Sequence, residues 1–184
     1  MDDRIIMVSV VRDFSMYGNL VRDNENNKGA EFVVFDNRQS NETITVRYNS
    51  FLDSYDYSKD AWFVFLHEDC EVLESLKDAL SSVPKDRIYG AIGCDDVYCK
   101  ALSGLILNSD REGKSLCFLG SPVQGIKDLL TADCCFMAVH SRLVHTYNLL
   151  FFLFCFALAF LLRPDRAIEG SLSHPTPSQD MPKI

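Results

Sequence analysis

Apolar runs alternate with polar stretches along the first ninety residues. Four of these runs have the length and β-branched composition of strands buried on both faces: 5–11, 31–35, 61–66 and 88–92. Apolar residues recur at helical spacing in 43–55 and again in 72–80. Ser40 or Asn41 is expected to cap the first of these helices. Strands that alternate with helices predict a mostly parallel sheet covered on both faces.

Shorter apolar runs, separated by turn residues, follow at 104–107, 116–119 and 134–139. Their length and spacing predict antiparallel strands added at one edge of the sheet. The expected fold class is therefore α/β, with a mixed, mostly parallel sheet flanked by helices, over a domain of residues 1–148.

The alternation ends at Leu149–Leu162, a run of fourteen apolar residues, which a Ser- and Pro-containing segment, 163–184, follows. A helix of that length spans about 21 Å, less than the ~30 Å hydrocarbon core of a bilayer. We therefore expect 149–162 to be an apolar helix or a short segment in peripheral contact with a membrane. The composition of 163–184 predicts a disordered tail.

Polar residues follow each predicted parallel strand. They are Arg12–Asp13, Asp36–Asn37, His67–Glu68–Asp69 and Asp95–Asp96. In open α/β sheets, ligands bind in the crevice outside the carboxyl ends of the strands. Because three of these strand ends are acidic, the pattern predicts a binding site for a cation or a cation-bound ligand.

Charge and motifs exclude several classes of protein. The net charge is −8, whereas a nucleic-acid binder normally carries a basic patch, so we expect no nucleic-acid partner. Neither the G-x-G-x-x-G nor the G-x-x-x-x-G-K-[ST] fingerprint occurs. The seven cysteines are irregularly spaced and do not resemble a disulfide framework, which favours a reduced, cytoplasmic protein.

A diphosphate ligand can be bound without a glycine-rich loop if a metal ion holds it. Mg²⁺ or Mn²⁺ is typically bound through one or two carboxylates, and the phosphate oxygens of the substrate complete the coordination. Asp69, just after the strand 61–66, is the best candidate for such a carboxylate. Spacing alone equally allows Asp69 to open the next helix, because acidic residues favour helix N-termini. The loop pair Asp95–Asp96 is a rival metal site or an inert, exposed pair.

Four segments, in order, together with the first strand and its end, 5–12, resemble family-2-type glycosyltransferases. They are "FVVFDN" (32–37), "RYNSFLD" (47–53), "WFVFLHEDC" (62–70) and "GSPVQGIKDLLTADCCFMAVHSRL" (120–143). The third is similar to the bacterial branch in which the metal motif reads His-x-Asp. The resemblance implies a GT-A fold, a nucleotide-diphosphate sugar donor, favoured to be a UDP-sugar, and Mn²⁺ or Mg²⁺ as cofactor. It further implies a saccharide or lipid-linked acceptor.

The resemblance also implies roles for residues of the nucleotide site. Asp36 matches the acid that hydrogen-bonds the nucleobase or ribose, although Asp-Asn is also a common turn sequence. Val11 and Arg12 would line the base pocket. Arg47 and Asn49 would reach the nucleotide from the helix 43–55, or they are solvated residues of its outer face.

In the same way, Asp69 matches the metal ligand, and His67 takes the first position of the metal motif as a ligand or as an orienting group. Asp133 matches the acceptor-side acid, with a turn before the strand 134–139 as its alternative. Beyond Asn148 the family's "FDE"-like loop and catalytic base have no counterpart, so we expect impaired transfer in a chain truncated or frame-altered there. The alternative is a non-catalytic nucleotide-sugar-binding or membrane-associated module, at the inner face of the membrane.

Overall fold

Nine strands and four α-helices occupy residues 3–95, 100–109 and 116–147, the part of the chain that the computed structural model describes. The strands are β1 (Arg4–Val11), β2 (Glu31–Asp36), β3 (Ala61–Leu66), β4 (Ile88–Gly90), β5 (Ile92–Cys94), β6 (Leu102–Ser109), β7 (Leu116–Ser121), β8 (Thr131–Ala132) and β9 (Phe136–His140). The helices are α1 (Phe14–Tyr17), α2 (Ile44–Ser54), α3 (Leu76–Ser81) and α4 (Ser141–Tyr147).

The main sheet has the strand order β2-β1-β3-β9-β4. β1 pairs in parallel with β2 and β3, and β9 is antiparallel to both β3 and β4. Four of the five strands therefore point the same way, although two of the four pairings are antiparallel, and the mixed α/β fold is confirmed. The prediction that β2 is buried on both faces is wrong. β2 is an edge strand of exposed and half-buried residues, because only β1 pairs with it.

The core lies on the two faces of β3, whose six residues are all buried between β1 and β9. Trp62, Val64 and Leu66 face one apolar cluster, which includes residues of α1 and α3. Phe63 and Phe65 face the other, which includes residues of α2 and α4. Helices thus cover both faces, as the alternation of elements predicted.

A second sheet, with the order β7-β6-β5-β8, is antiparallel throughout. The single strand predicted for 88–92 is wrong, because β4 ends at Gly90 and β5 begins in this second sheet. Gly93 explains part of this geometry. A Cβ atom there would lie 1.8 Å from the carbonyl oxygen of Thr131, so only glycine allows β5 and β8 to approach this closely.

The later strands also differ from the predicted edge additions. β9 is inserted between β3 and β4, whereas β6, β7 and β8 belong to the second sheet. Sequence periodicity places residues on the face of a strand and contains no information about its neighbours, which long-range packing selects.

Two predicted helix boundaries are wrong. Thr43, not Ser40 or Asn41, caps α2, and its hydroxyl accepts a hydrogen bond from the Val46 amide at 3.4 Å. α3 begins after Ser75, which caps it, so residues 72–75 of the predicted helix are not helical. Leu73 is 69% exposed, since it precedes the helix and contributes nothing to its buried face.

A helical segment, for which the sequence analysis predicted no element, occupies 14–22. α1 continues into a π-helical turn, Gly18–Arg22, and Tyr17 and Val21 are buried. The Asp13 carboxylate caps the start by accepting hydrogen bonds from the Ser15 and Met16 amides, each at 3.0 Å. Asp13 as a cap and the i, i+4 spacing of Tyr17 and Val21 were the sequence signals that indicated this helix.

The predictions for 149–162 and 163–184, and for Asp96, lie outside the described residues. Among the helices of the described part of the chain, none combines the length and the apolar character needed to cross a membrane.

Candidate functional site

The carboxyl ends of β1, β2 and β3 and the start of β9 meet at one edge of the main sheet. This follows from the register, in which Val11 pairs with Asp36 and Leu66 pairs with Phe136. Asp95 instead follows β5 in the second sheet, where it forms a 2.7 Å ion pair with Lys127. The edge of the main sheet is therefore the place where most of the predicted site residues come together.

Glu68 ties the end of β3 to the end of β1. Its carboxylate accepts hydrogen bonds from the backbone amides of Arg12 and Asp13, at 2.5 and 2.9 Å. Sequence reasoning placed Glu68 beside the metal motif and gave it no role. No local signal could have revealed this contact, because its partners lie more than fifty positions earlier in the chain.

Arg12 is exposed at this edge, and its guanidinium donates a hydrogen bond to the side-chain oxygen of Asn41. Val11, the other residue predicted to line a base pocket, has a completely buried side chain in the core. Only its backbone is available at the edge, and the carbonyl oxygen of Val11 already accepts a 2.8 Å hydrogen bond from the amide of Asn37.

Asp36 forms an exposed ion pair with Arg38, with 2.6 Å between the carboxylate and the guanidinium. The same carboxylate accepts a hydrogen bond from the Arg38 backbone amide, which closes a turn after β2. The hydrogen bonds from Arg38 lower the pKa of Asp36 to about 2. The Arg38 guanidinium also lies over the ring of Phe14, 4.6 Å from its centroid. This combination of an aromatic ring, a cation and a carboxylate was not predicted, apart from Asp36.

Arg47 is held close to the end of β2 rather than extended into solvent. Its guanidinium donates a 2.7 Å hydrogen bond to the Ser40 hydroxyl and forms a 3.0 Å ion pair with Glu42. It also lies 5.5 Å from the ring centroid of Phe35. Asn49 is half-buried on the same helix. Arg47 is thus positioned next to the strand-end edge.

A tight turn follows β3. The His67 carbonyl oxygen accepts a hydrogen bond from the Cys70 amide at 3.2 Å, and this bond places Glu68 and Asp69 at the corners of the turn. The turn is anchored to the start of β9, because the His67 amide donates a 3.1 Å hydrogen bond to the Cys135 carbonyl.

A second turn lies opposite, before β9. The Asp133 carboxylate accepts a 2.8 Å hydrogen bond from the Cys135 amide, which is the turn role considered as the alternative for Asp133. The imidazole of His67 faces this turn, with Nε2 3.9 Å from the Cys134 sulfur. Asp69 and Asp133 are thus brought to the same edge on two facing turns.

Asp69 is exposed, and its carboxylate accepts a weak 3.8 Å hydrogen bond from the Cys70 thiol. Within residues 3–95, 100–109 and 116–147, no three His, Cys, Asp or Glu side chains are grouped closely enough to enclose a metal ion. These residues fit a hard cation that takes one carboxylate and completes its coordination with phosphate oxygens and water, as Mg²⁺ does.

The Cys70 side chain, burial and the nearby Asp133 carboxylate together raise the pKa of the Cys135 thiol well above its ordinary value. Cys135 is therefore a neutral thiol at physiological pH.

A cavity of about 430 Å³ is lined by residues of β4, of β6 and of the segment 122–129. Its walls are mainly apolar, and Arg87 and Lys127 supply its cationic groups, paired with Asp128 and Asp95 respectively. Ala132, the residue before Asp133, also lines it. Its volume falls within the range of small-molecule sites, which is about 300–1,000 Å³.

Comparison of the chain with models of known protein families, and with curated proteins, finds no match.

Proposed function

We propose that this chain binds a nucleoside-diphosphate sugar, with a UDP-sugar favoured, at the strand-end edge of the main sheet. The convergence of Arg12, Asp36, Arg47 and Asp69 at that edge carries the proposal. Cationic and aromatic groups lie at the ends of β1 and β2, and an exposed carboxylate lies at the end of β3. This is the order that a base, a ribose and a metal-bound diphosphate require.

Asp69 is the residue that would hold Mn²⁺ or Mg²⁺. His67 lies two residues before it, with Nε2 3.9 Å from the Cys134 sulfur. The bound cation would neutralise the diphosphate and stabilise it as a leaving group. Arg38, stacked on Phe14, offers a cationic platform for the nucleobase or ribose beside Asp36.

By its resemblance to family-2-type glycosyltransferases, the proposed reaction is transfer of the sugar to an acceptor hydroxyl. We place a saccharide or lipid-linked acceptor in the cavity beside β4, because Ala132, the residue before Asp133, lines it, and because it combines apolar walls with a few charged groups. The GT-A assignment belongs to this proposal and is supported by the parallel arrangement of β1, β2 and β3.

Titration calorimetry with UDP, in the presence and absence of Mn²⁺, tests donor binding. We expect affinity to depend on Mn²⁺ in the natural chain and to lose that dependence in Asp69→Ala. The matched control is Asp53→Ala, which removes another exposed carboxylate near the far end of α2. Unchanged Mn²⁺-dependent affinity in Asp69→Ala would refute the metal assignment.

One observation favours the alternative of a non-catalytic binding module. The Asp133 carboxylate accepts a hydrogen bond from the Cys135 amide within its own turn, which is the structural role of a turn residue before β9. Release of UDP from a UDP-sugar in the presence of saccharide acceptors separates the two functions. If the chain binds UDP with Mn²⁺ but releases no UDP from the UDP-sugar, the binding module is supported. Release of UDP with turnover supports the transferase.

A further inference from the structure

Three of the four sheet edges in the described part of the chain are protected against pairing with a further strand. β2, at one edge of the main sheet, has an exposed charged residue at each end, Glu31 and Asp36, and each is in an ion pair. β4, at the other edge, lines the cavity together with the segment 122–129, which therefore lies beside it. β8, at one edge of the second sheet, has only two residues. Charges, a covering segment and short length are devices that natural proteins use to block sheet edges.

β7, at the remaining edge, has none of these devices. Its sequence, LCFLGS, contains no charged residue and no proline. It pairs regularly with β6 from Leu116 to Gly120, and the register shift lies beyond, at Ser103 and Gly104. Within the described residues no strand pairs with its other side, so the backbone amides and carbonyls there are available to a further strand.

Apolar side chains lie on both faces of this edge. Phe118 is 66% exposed and shares a face of the second sheet with Leu105, because Leu105 pairs with Gly120, two residues further along β7. Leu119 is 41% exposed and lies on the opposite face, where it pairs with Ile106. A strand added beside β7 would therefore gain backbone hydrogen bonds and apolar contacts on both of its faces.

We propose that β7 is the interface of a homodimer, in which the β7 strands of two copies pair antiparallel across a twofold axis. An antiparallel strand can pair with a copy of itself, and the twofold axis then places the same uncharged, apolar strand on both sides of the interface. A second copy thus supplies a partner whose side chains match those of β7. The interface is independent of the function proposed above.

This pairing closes the assembly at two copies. It uses the unprotected edge of each second sheet and joins the two sheets into one continuous sheet. The outer edges of the joined sheet are the two copies of β8, which are too short to pair with further chains. We therefore expect a dimer and not a fibre.

Sedimentation equilibrium of the full chain at several concentrations tests the proposal, and we expect a reversible equilibrium between monomer and dimer. Phe118→Lys and Leu119→Lys each place two positive charges in the symmetric interface, so each should raise the dissociation constant by about tenfold or more. The matched control is Leu73→Lys, because Leu73 is also an exposed leucine, at 69%, but precedes α3. A monomer at every concentration, or a dimer that neither β7 variant weakens, would overturn the proposal.

Amide hydrogen exchange locates the interface in the natural chain and decides the proposal if a lysine variant does not fold. The outward amides of β7 exchange freely in a monomer and are hydrogen-bonded in the proposed dimer. We expect exchange in the peptide that contains 116–121 to slow as the chain dimerises, while exchange in the peptide that contains β2 stays constant. If dimerisation leaves the exchange of 116–121 unchanged, β7 is not the interface.

Discussion

Glu68 and Asp69 are adjacent acidic residues for which the structure predicts opposite responses to alanine substitution. The Glu68 carboxylate accepts two backbone hydrogen bonds at the end of β1. Asp69 is exposed, and within the described residues its carboxylate accepts only a weak hydrogen bond from the Cys70 thiol. We therefore expect Glu68→Ala to lower the free energy of unfolding and Asp69→Ala to leave it nearly unchanged.

The magnitude follows from the contacts that are lost. A hydrogen bond contributes about 0.5–1.5 kcal/mol net, so two give about 1–3 kcal/mol. Water can reach the two amides at this surface and partly replace the carboxylate, which places the expected loss for Glu68→Ala at about 1–2 kcal/mol. An exposed substitution such as Asp69→Ala normally stays within about 0.5 kcal/mol.

Urea unfolding followed by the fluorescence of Trp62, the single tryptophan of the chain and a buried residue of β3, measures the difference. The midpoint should fall in Glu68→Ala while the slope of the transition stays constant. Glu68→Gln is the matched control, because its amide oxygen can still accept and should retain part of the stability. An equal loss in the two alanine variants, or none in Glu68→Ala, would refute the role of Glu68.

Two further predictions concern protonation. Asp36 should titrate near pH 2 by NMR. Arg38→Gln should return the pKa of Asp36 toward 3.8, its ordinary value, whereas the distant Arg22→Gln should leave it lowered. An unshifted pKa of Asp36 in the natural chain would contradict the ion pair. Burial of His140 lowers its pKa below 6.5, so the folded state stays neutral while the unfolded state binds a proton. Stability should therefore fall as the pH drops below about 6.5. In thermal unfolding between about pH 5 and 7, His140→Leu should show a weaker dependence of stability on pH than the natural chain. An equal dependence in the two proteins would contradict the role of His140.

The local elements of the main sheet could be predicted from sequence because their signals are local. Ala61–Leu66 coincides with β3, since six consecutive apolar residues between polar ends can be satisfied only by burial on both faces. The helix predicted at 43–55 differs from α2 by one residue at each end, because amphipathic spacing is a property of a single segment. The polar strand ends likewise indicated which edge of the sheet would carry the candidate site.

The residues around that edge could be predicted only in part. Arg12, Asp36 and Asp69 lie there as the strand ends implied, because a strand that ends in the sheet delivers the residues after it to the sheet's edge. The contacts of Glu68, Arg38 and Phe14 escaped prediction, because they depend on how turns from separate segments fit against one another.

What the sequence determined by itself is the alternation of elements and the acidic character of the strand ends, because both follow from hydrophobic periodicity and chain order. Tertiary structure decided which strands became neighbours. It inserted β9 between β3 and β4, and it separated β5 from β4 into a second sheet. It also brought Cys135 against His67 and Glu68 against the end of β1. Those choices depend on shape, backbone hydrogen bonding and close contacts between residues far apart in the chain, which no local pattern encodes.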